Sequence, residues 1–269
     1  MSRPGAGTGR TARTARVAHA GAIHEAHPHA AGVQLADGRV LAEDAVVWLP
    51  PVQPGTVVAL GLNYADHVQE LAKELARPAA PSDSEPLVFF KTAASLLGHR
   101  GLTWRPRAVR FMHYECELAV IIGRGGRDIA EPDAMAHVAG YTVANDYAIR
   151  DYLENWHRPN LRVKNRDGAT VLGPWFVPAA EVGDPHALAL RTWVNGKLVQ
   201  QGHTSNMVHR VAPLVAWLSR FMTLAPGDVI LTGTPEGVVN VDAGDEVVCE
   251  IEGIGRLVNT LADDAAFGR

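Results

Sequence analysis

Residues 112–122 read Met-His-Tyr-Glu-Cys-Glu-Leu-Ala-Val-Ile-Ile, an apolar run that contains two carboxylates. Its content of β-forming side chains predicts a central strand. Since side chains alternate along a strand, Glu115 and Glu117 are expected on the same face. Burial of unpaired carboxylates is costly, and a bound cation would remove that cost. An edge strand with a solvated acidic face is the alternative that this stretch alone leaves open.

A second predicted strand ends on a third carboxylate. Residues 140–146 read Gly-Tyr-Thr-Val-Ala-Asn-Asp, so that Asp146 could point into the same site. Three carboxylates without histidine or cysteine suit a hard cation, and we expect Mg²⁺, with Mn²⁺ or Ca²⁺ as alternatives. Such a site keeps positions open for water and for a bidentate ligand such as a 2-oxo carboxylate.

Two lysines and one histidine–glutamate pair are the next candidates. Lys91 ends the apolar strand predicted at residues 87–91, and Lys164 lies in a polar segment. Either could balance an anionic substrate, although a lysine in such a strand usually reaches the surface. His67 and Glu70 are three apart on a predicted helix, where they could form an acid–base pair. An ordinary contact on the helix surface is the alternative.

Further substrate contacts are predicted at a turn and at three arginines. The sequence Thr-Gly-Thr-Pro at 232–235 would expose the backbone N–H of Gly233 and the hydroxyl of Thr234 to a carboxylate or oxyanion. Glycine and proline at a turn also need no functional explanation. Arg150, Arg158 and Arg162 predict a clamp on a carboxylate remote from the metal, with surface solvation as the alternative for each.

Composition limits the class of protein. The 269 residues are 47% hydrophobic and 20% charged, which is enough to bury a large core. The formal net charge of −4 provides no basic field for nucleic acid. No apolar run approaches the roughly 18 residues of a membrane-spanning helix, and Cys116 and Cys249 lie in apolar runs as expected of buried free thiols. We therefore expect a soluble cytoplasmic protein with no membrane or nucleic-acid partner.

The pattern of strands and turns predicts three segments. Residues 1–20 are basic and poor in apolar side chains, which predicts a flexible tail or, alternatively, a transit peptide. Residues 21–54 are predicted to form a small N-terminal β unit with a type I′ turn at Asp37-Gly38. Residues 55–269 form the predicted catalytic domain, with a second such turn at Asn195-Gly196 and a helix at 207–221. Strands dominate and helices are few and short, which favours a β-rich α+β fold.

The order of several short motifs over residues 54–261 resembles the fumarylacetoacetate hydrolase superfamily. The motifs lie at residues 61–67, 89–91, 113–118, 145–147, 194–196 and 231–237. The resemblance implies a mixed β-sandwich roll and a homodimer. It also implies a divalent metal on Glu115, Glu117 and Asp146. Lys164 would lie near the substrate, and the helix with His67 and Glu70 would form a mobile lid.

Within that family, residues 145–155 and 158–164 resemble the bifunctional isomerase/decarboxylase of 4-hydroxyphenylacetate (homoprotocatechuate) breakdown, in its C-terminal half or second subunit. This implies decarboxylation of 5-oxopent-3-ene-1,2,5-tricarboxylate, isomerisation of the resulting 2-hydroxyhepta-2,4-diene-1,7-dioate, and a second homologous module as a partner. Two alternatives stay open. One is an acylpyruvate-type hydrolase in which His67 and Glu70 activate water, and the other is a non-catalytic module that binds 2-oxo acids.

Overall fold

The computed structural model describes residues 12–74, 85–153 and 160–269, and its strands are numbered along the chain. A curled seven-stranded sheet has the spatial order β7 (Leu87–Lys91), β6 (Val57–Gly61), β17 (Val229–Leu231), β11 (Cys116–Ile122), β12 (Val138–Asp146), β14 (Thr170–Pro178) and β8 (Leu96–Gly98). A five-stranded sheet has the order β16 (Lys197–His203), β15 (Ala189–Val194), β18 (Glu246–Ile251), β19 (Gly255–Ala262) and β9 (Leu102–Trp104).

Two smaller β structures and short helices complete the described chain. An N-terminal sheet has the order β4 (Val40–Leu41), β3 (Gly32–Leu35), β2 (Ala22–His29), β1 (Ala15–His19) and β5 (Val47–Leu49), and a ribbon pairs β10 (Met112–His113) with β13 (Ala148–Ile149). The α-helices are α1 (Ala65–Glu74), α2 (Leu161–Lys164), α3 (Ala179–Val182) and α4 (Val211–Ser219). The 3₁₀ turns are Glu43–Ala45, Ala93–Ser95, Glu131–His137, Arg150–Tyr152, Thr204–Asn206 and Asp264–Phe267.

The main hydrophobic core lies between the two large sheets. Leu118 and Val120 of β11 and Val143 of β12 are buried there together with Cys249 and Leu257 of the second sheet. Alternate residues of β11, such as Ala119 and Ile121, belong to a second buried cluster on the other face. Both faces of β11 are therefore covered, which explains its continuous apolar sequence. The predicted β-rich α+β fold and mixed β-sandwich are confirmed.

The seven-stranded sheet must curl because two consecutive strands lie at its opposite edges. β7 is one edge strand and β8 is the other, and only residues 92–95 connect them. Such a connection spans at most about 18 Å. Seven strands laid flat at normal spacing would extend about 29 Å. Closure of this gap brings Lys91, at the end of β7, towards the end of β12.

The prediction of a flexible tail over residues 1–20 is wrong for its last part. Residues 1–11 lie outside the described chain, but Ala15–His19 forms β1 and pairs with both β2 and β5. Ala15 and Val17 are buried with Trp48 in the core of the N-terminal sheet. Their alternation with polar residues is a strand signal that the basic composition concealed. The division of the chain near residue 54 stays a prediction.

The predicted continuous strand over residues 112–122 is interrupted. Met112 and His113 pair with β13, whereas β11 begins at Cys116 and pairs with β12. Glu115 therefore precedes the strand, so strict alternation does not set its direction. Its backbone N–H donates to Oδ1 of Asn145 at 3.1 Å, and its carbonyl accepts the N–H of Asp146 at 2.9 Å. These two bonds fix Glu115 beside the end of β12.

One predicted hairpin turn is confirmed and the other differs. Asn195 and Gly196 have φ values of 49° and 76°, as a type I′ turn requires. At the first hairpin only Gly38, with φ of 89°, is left-handed. The Leu35 N–H donates to the Arg39 carbonyl at 2.8 Å, and this bond closes a three-residue loop. The loop has the length and the left-handed last residue of a hairpin with a bulge.

The helix predicted at 207–221 is shorter, covering Val211–Ser219. Ser205 and Asn206 lie in a 3₁₀ turn and do not cap it; Arg210 occupies the N-cap without a side-chain cap bond. Met207 instead forms a β-bridge with Tyr64. The contact anchors the segment that precedes α1, so tertiary pairing overrides local helix propensity here.

We expect Gly98→Ala to destabilise the protein, because Gly98 lies where the N-terminal sheet packs on β8. A Cβ atom at Gly98 would lie 2.1 Å from the carbonyl oxygen of Trp48. Since the clash involves backbone, the expected loss is about 1–3 kcal/mol. Thermal unfolding measures it as a fall of roughly 2–4 °C in Tm per kcal/mol. Gly55→Ala is the matched control, since its added Cβ would meet only Asp228 Oδ1 at 3.5 Å. Equal Tm values for both variants would contradict this packing.

Candidate metal centre

Three buried carboxylates converge at one end of the sandwich. Glu117 lies on β11, Asp146 ends the neighbouring β12, and Glu115 immediately precedes β11. Glu117 and Asp146 are fully buried, and Glu115 is 7% exposed. One oxygen from each carboxylate lies within 4.8 Å of the others. The adjacent strands thus gather the predicted ligand set at one point.

Two buried lysines neutralise part of this charge. The Nζ atom of Lys164, on α2, donates to Glu115 Oε2 at 2.5 Å and to Asp146 Oδ2 at 3.0 Å. The charges of Asp146 and Glu115 raise the pKa of Lys164 against the opposing effect of its burial. Lys91 donates to Asp146 Oδ1 at 2.5 Å and also to the carbonyl of Lys164. Burial lowers the pKa of Lys91 more than Asp146 raises it.

Glu117 is the carboxylate whose charge has the least compensation. Its Oε2 atom accepts the Gly233 N–H at 2.6 Å, whereas its buried Oε1 atom has no hydrogen-bond partner among the described residues. Burial, and then the charges of Asp146 and Glu115, raise the pKa of Glu117 well above its usual value. A buried oxygen without a partner is costly. The all-oxygen donor set therefore fits a hard divalent cation.

Arg150 connects Glu115 to the outer part of the site. Its Nη2 atom donates to Glu115 Oε1 at 2.9 Å, and its Nε atom donates to His113 Nδ1 at 3.3 Å. Burial would raise the pKa of Glu115, but the charges of Lys164 and Arg150 lower it overall. Burial and then the Arg150 charge lower the pKa of His113 to about 4, which keeps its ring neutral near pH 7. His113 was given no role from sequence, although it stands within the decisive motif.

The other two predicted clamp arginines differ from Arg150. The guanidinium carbon of Arg162 lies 4.6 Å from the centroid of the Tyr152 ring. Arg158 lies outside the described residues. Among the described residues, Arg150 is therefore the arginine that contacts the carboxylate cluster.

The predicted contact between His67 and Glu70 is confirmed. Nδ1 of His67 lies 2.9 Å from Glu70 Oε2 on α1. Glu70 Oε1 also accepts the Gly237 N–H at 3.4 Å, and Asn206 donates to Asp66 Oδ2 at 3.2 Å. These bonds dock α1 against the loop that follows β17 and against the 3₁₀ turn Thr204–Asn206. Since Nδ1 is engaged by Glu70, Nε2 is the ring nitrogen available to another group.

The turn after β17 supports the cluster. The Gly233 N–H is directed to Glu117, a protein carboxylate, where the sequence suggested an external anion. Thr234 is buried, and its Oγ1 accepts a hydrogen bond from Gln200 Nε2 at 3.1 Å. Asn63 Nδ2 donates to the Thr232 carbonyl at 2.8 Å. Asn63 and Gln200 were missed from sequence because isolated amides carry no local pattern.

A protein-family match covers most of the chain and includes the three carboxylates, the two lysines and the turn after β17. Residues 56–262 match the family described as fumarylacetoacetate (FAA) hydrolase, C-terminal. The chain belongs to the fumarylacetoacetate hydrolase family. This confirms the resemblance carried by its motifs.

One curated relative in this family is the 4-hydroxyphenylacetate degradation bifunctional isomerase/decarboxylase of Salmonella dublin. It is 51% identical over 238 residues, which are 86% of this chain and 54% of the relative. The chain thus spans about half the length of that protein and corresponds to its C-terminal half.

Two solved structures are also similar to this chain. A 5-carboxymethyl-2-hydroxymuconate delta-isomerase from Mycobacterium smegmatis is 34% identical, with a TM-score of 0.80 over 94% of this chain and 99% of that one. A fumarylpyruvate hydrolase from Pseudomonas aeruginosa, in complex with Mn²⁺ and pyruvate, is 34% identical with a TM-score of 0.71 over 80% and 91% of the two chains. Within the described part of this fumarylacetoacetate hydrolase family member, no helix is long and apolar enough to cross a membrane.

Proposed function

We propose that this chain is a divalent-metal-dependent isomerase and decarboxylase of 2-oxo or 2-hydroxydienoic di- and tricarboxylates. The observation that carries the proposal is the buried, all-oxygen cluster of Glu115, Glu117 and Asp146, in which one oxygen of Glu117 has no partner among the described residues. The likeness to an isomerase/decarboxylase and to a complete isomerase chain supports the reaction class. The proposed pathway is 4-hydroxyphenylacetate breakdown, with the substrates that the sequence resemblance implies.

The proposed cofactor is Mg²⁺, with Mn²⁺ or Ca²⁺ as alternatives, held by Glu115, Glu117 and Asp146. When bound, a divalent cation supplies a Lewis acid for a chelated carboxylate and its 2-oxygen. The cation would also satisfy the unpartnered Glu117 oxygen. Lys164 contacts Glu115 and Asp146, two of the three carboxylates that would hold the cation. Its ammonium group would therefore share these carboxylates with the cation or move away from them.

Lysine and arginine side chains orient the substrate in this proposal. Lys164 is placed to offset negative charge that develops on the substrate as CO₂ leaves or a proton moves. Lys91 holds Asp146 through a 2.5 Å contact and is 5% exposed, so its effect on substrate is transmitted through that carboxylate. Arg150 keeps donors beyond those given to Glu115 and His113, and these are available to a remote carboxylate.

His67 is the proposed proton-transfer group. Its Nδ1 atom is paired with Glu70, which fixes the ring and leaves Nε2 to exchange the proton. In isomerisation, Nε2 would accept the proton of the 2-hydroxyl group or deliver one to the conjugated carbon chain. The side chains of His67 and Glu70 are 13% and 29% exposed, so both are partly accessible to solvent.

A hydrolase is the second candidate, because the likeness to fumarylpyruvate hydrolase is also substantial. In that reaction His67 and Glu70 would activate water for addition to a carbonyl carbon of the substrate, after which the adjacent C–C bond breaks to give a carboxylic acid and the enolate of a 2-oxo acid, which is then protonated. A binding module without turnover is the third possibility. The homodimer, the second homologous module and the cytoplasmic location are likewise proposals.

A substrate comparison separates these functions. We would follow 5-oxopent-3-ene-1,2,5-tricarboxylate, 2-hydroxyhepta-2,4-diene-1,7-dioate and an acylpyruvate, each with and without Mg²⁺. The proposal expects Mg²⁺-dependent CO₂ release or double-bond migration and no acid release from the acylpyruvate. Cleavage of the acylpyruvate alone would establish the hydrolase, and saturable binding without turnover would establish the binding module.

Arg150→Met is expected to weaken a dicarboxylate substrate more than a small chelator such as oxalate. Loss of a charge-assisted contact to the remote carboxylate should cost about 10–100-fold in affinity. Oxalate would contact only the metal, so its affinity should fall less. Some loss is expected for oxalate too, because Arg150 also contacts Glu115. Calorimetric titration of both ligands in the Mg²⁺-loaded protein measures the difference. Equal losses would remove Arg150 from substrate recognition and leave it as a support for Glu115.

A further inference from the structure

A buried amide side chain contacts the turn that follows β17. Gln200 lies on β16 and is 2% exposed. Its Nε2 atom donates to the Pro235 carbonyl at 2.9 Å and to Thr234 Oγ1 at 3.1 Å, and its Oε1 atom accepts from Thr192 Oγ1 at 2.8 Å. Both N–H groups and the carbonyl oxygen of the amide therefore have partners. A buried amide that is satisfied in this way holds its neighbours in one arrangement.

The orientation of this amide follows from the chemistry of its partners. The Pro235 carbonyl can only accept, so the NH₂ group of Gln200 must face the turn. Its oxygen then faces the hydroxyl of Thr192, which lies opposite Gln200 on the paired strand β15. A chain of hydrogen bonds thus runs from the second large sheet to the turn.

The amide also determines which way the hydroxyl of Thr234 can donate. Because the NH₂ group of Gln200 can only donate, Thr234 Oγ1 is the acceptor in their contact. The hydroxyl proton of Thr234 is therefore directed away from Gln200. It has no acceptor among the described residues, although Thr234 is only 3% exposed. A buried O–H group without an acceptor is costly, and an oxygen atom of a ligand would supply one.

Thr234 lies in a turn that contacts both the carboxylate cluster and α1. The preceding residue, Gly233, donates its N–H to Glu117 Oε2 at 2.6 Å. Three residues after Thr234, the Gly237 N–H donates to Glu70 Oε1 at 3.4 Å. One end of the turn is therefore bonded to a proposed metal ligand, and the other end is bonded to the partner of the proposed proton-transfer group.

Close packing keeps β16 against the same turn. A Cβ atom at Gly202 would lie 2.4 Å from Pro235 Cγ, and a Cβ atom at Gly237 would lie 3.6 Å from Gln200 Cγ. The Tyr114 hydroxyl donates to the Gly237 carbonyl at 3.0 Å. The backbone of the turn is thus held at both ends by other groups, and the amide of Gln200 holds its middle.

We propose that Gln200 is a positioning residue, which directs the Thr234 hydroxyl towards a carboxylate oxygen of the ligand that chelates the metal. Gln200 acts through Thr234 and does not touch the ligand, because protein groups use its whole amide. This inference rests on the proposed function, since it takes the carboxylate cluster to be the metal centre. It gives the second large sheet a role in recognition, because β15 and β16 fix a hydrogen-bond donor beside that cluster.

Calorimetric titration of oxalate into the Mg²⁺-loaded full chain tests this role without turnover. Thr234→Val removes the donor and should weaken oxalate binding by about 10–100-fold, the cost of a hydrogen bond to a charged group. Thr234→Ser keeps the hydroxyl and should retain most of the affinity. Gln200→Met keeps the length of the side chain but has no N–H group, so it should weaken oxalate by about tenfold. Gln201→Met is the matched control, since Gln201 is the next residue of β16 and is exposed, and it should bind oxalate as the unaltered protein does.

A double variant separates positioning of the hydroxyl from general support of the turn. Gln200→Met combined with Thr234→Val should bind oxalate as Thr234→Val alone does, because the amide acts only through the hydroxyl. Mg²⁺ affinity should be unchanged in all these variants, because none alters Glu117 or the Gly233 N–H. Additive losses in the double variant, or a parallel loss of Mg²⁺ affinity in Gln200→Met, would reduce Gln200 to a support of the turn and overturn the proposal. Unchanged oxalate affinity in Thr234→Val would overturn it as well.

A further variant covers the case in which Gln200→Met does not fold. Thr192→Val removes only the bond to the amide oxygen of Gln200, and it should weaken oxalate in the unaltered background but not in Thr234→Val. An effect of equal size in both backgrounds would contradict the positioning role. Absence of Mg²⁺ binding to the unaltered protein would overturn the proposed function together with this inference. Intact binding of Mg²⁺ and oxalate that none of the variants changes would overturn the positioning role alone.

Discussion

Glu117→Gln is expected to abolish turnover and to weaken Mg²⁺ binding by more than about 100-fold, while the protein stays folded. Mutation of a residue that hydrogen-bonds to a metal ligand typically lowers metal affinity or activity by about 10–100-fold. Loss of a direct ligand should lower both by more. The fold should survive because Gln keeps an oxygen for the Gly233 N–H. Its new amide would place donors near the acidic side chains of Glu115 and Asp146. Calorimetry with Mg²⁺ and a turnover assay measure both effects.

The same substitution should raise the stability of the metal-free protein at alkaline pH. Burial, with the charges of Asp146 and Glu115, raises the pKa of Glu117 above its value in the unfolded chain. An acid with a raised folded-state pKa binds more protons when folded, so stability falls as pH rises from the unfolded pKa towards the folded pKa. Glu117→Gln removes that loss. Thermal unfolding with chelator, followed across pH, measures the difference.

Asp146→Asn is the matched control variant for Glu117→Gln. Asp146 accepts from both Lys91 and Lys164, so an amide there would leave buried ammonium groups with less compensation. We therefore expect it to abolish turnover and also to lower Tm. Wild-type Mg²⁺ affinity and rate in either variant would contradict the assignment of the ligands.

His67→Ala is expected to lower kcat by about 10²–10⁴-fold, the range for loss of a general acid or base. Metal binding should be unchanged, because His67 contacts Glu70 and is not among the three carboxylates. Steady-state kinetics together with Mg²⁺ titration separate the two properties.

Glu70→Gln supplies the control for His67. An amide can still contact the ring but carries no charge, so we expect a smaller loss in kcat than for His67→Ala. An unchanged kcat in His67→Ala would reduce the pair to a contact on the surface of α1. A parallel loss of Mg²⁺ affinity would instead indicate that the helix supports the metal centre.

Local patterns predicted those parts of the fold that depend on local sequence. The apolar run that ends at Asp146 and the Asn195-Gly196 turn predicted elements that the structure contains. The apolar run at 112–122 predicted the buried β11 but not its interruption at Glu115. That interruption depends on the pairing of β10 with β13 and on the bond from the Glu115 N–H to Asn145 Oδ1, and both partners are distant in sequence.

The sequence predicted which residues form the candidate site better than it predicted the contacts between them. Carboxylates in apolar strands are conspicuous because isolated burial is unfavourable, and this identified Glu115, Glu117 and Asp146. The sequence could not show that Lys91 would reach Asp146, because that contact depends on closure of the sheet between its two edge strands. It likewise could not show that the Gly233 N–H serves Glu117.

A crystal structure with Mn²⁺ and oxalate tests the central claim most directly, because the anomalous signal of Mn²⁺ locates the cation without reference to activity. We expect one peak about 2.1 Å from an oxygen of each of Glu115, Glu117 and Asp146, the spacing of a small octahedral cation. Oxalate should chelate it, and Lys164 should no longer bridge Glu115 and Asp146. A peak elsewhere, or no peak with Lys164 still between those carboxylates, would contradict the claim that this cluster is the metal centre.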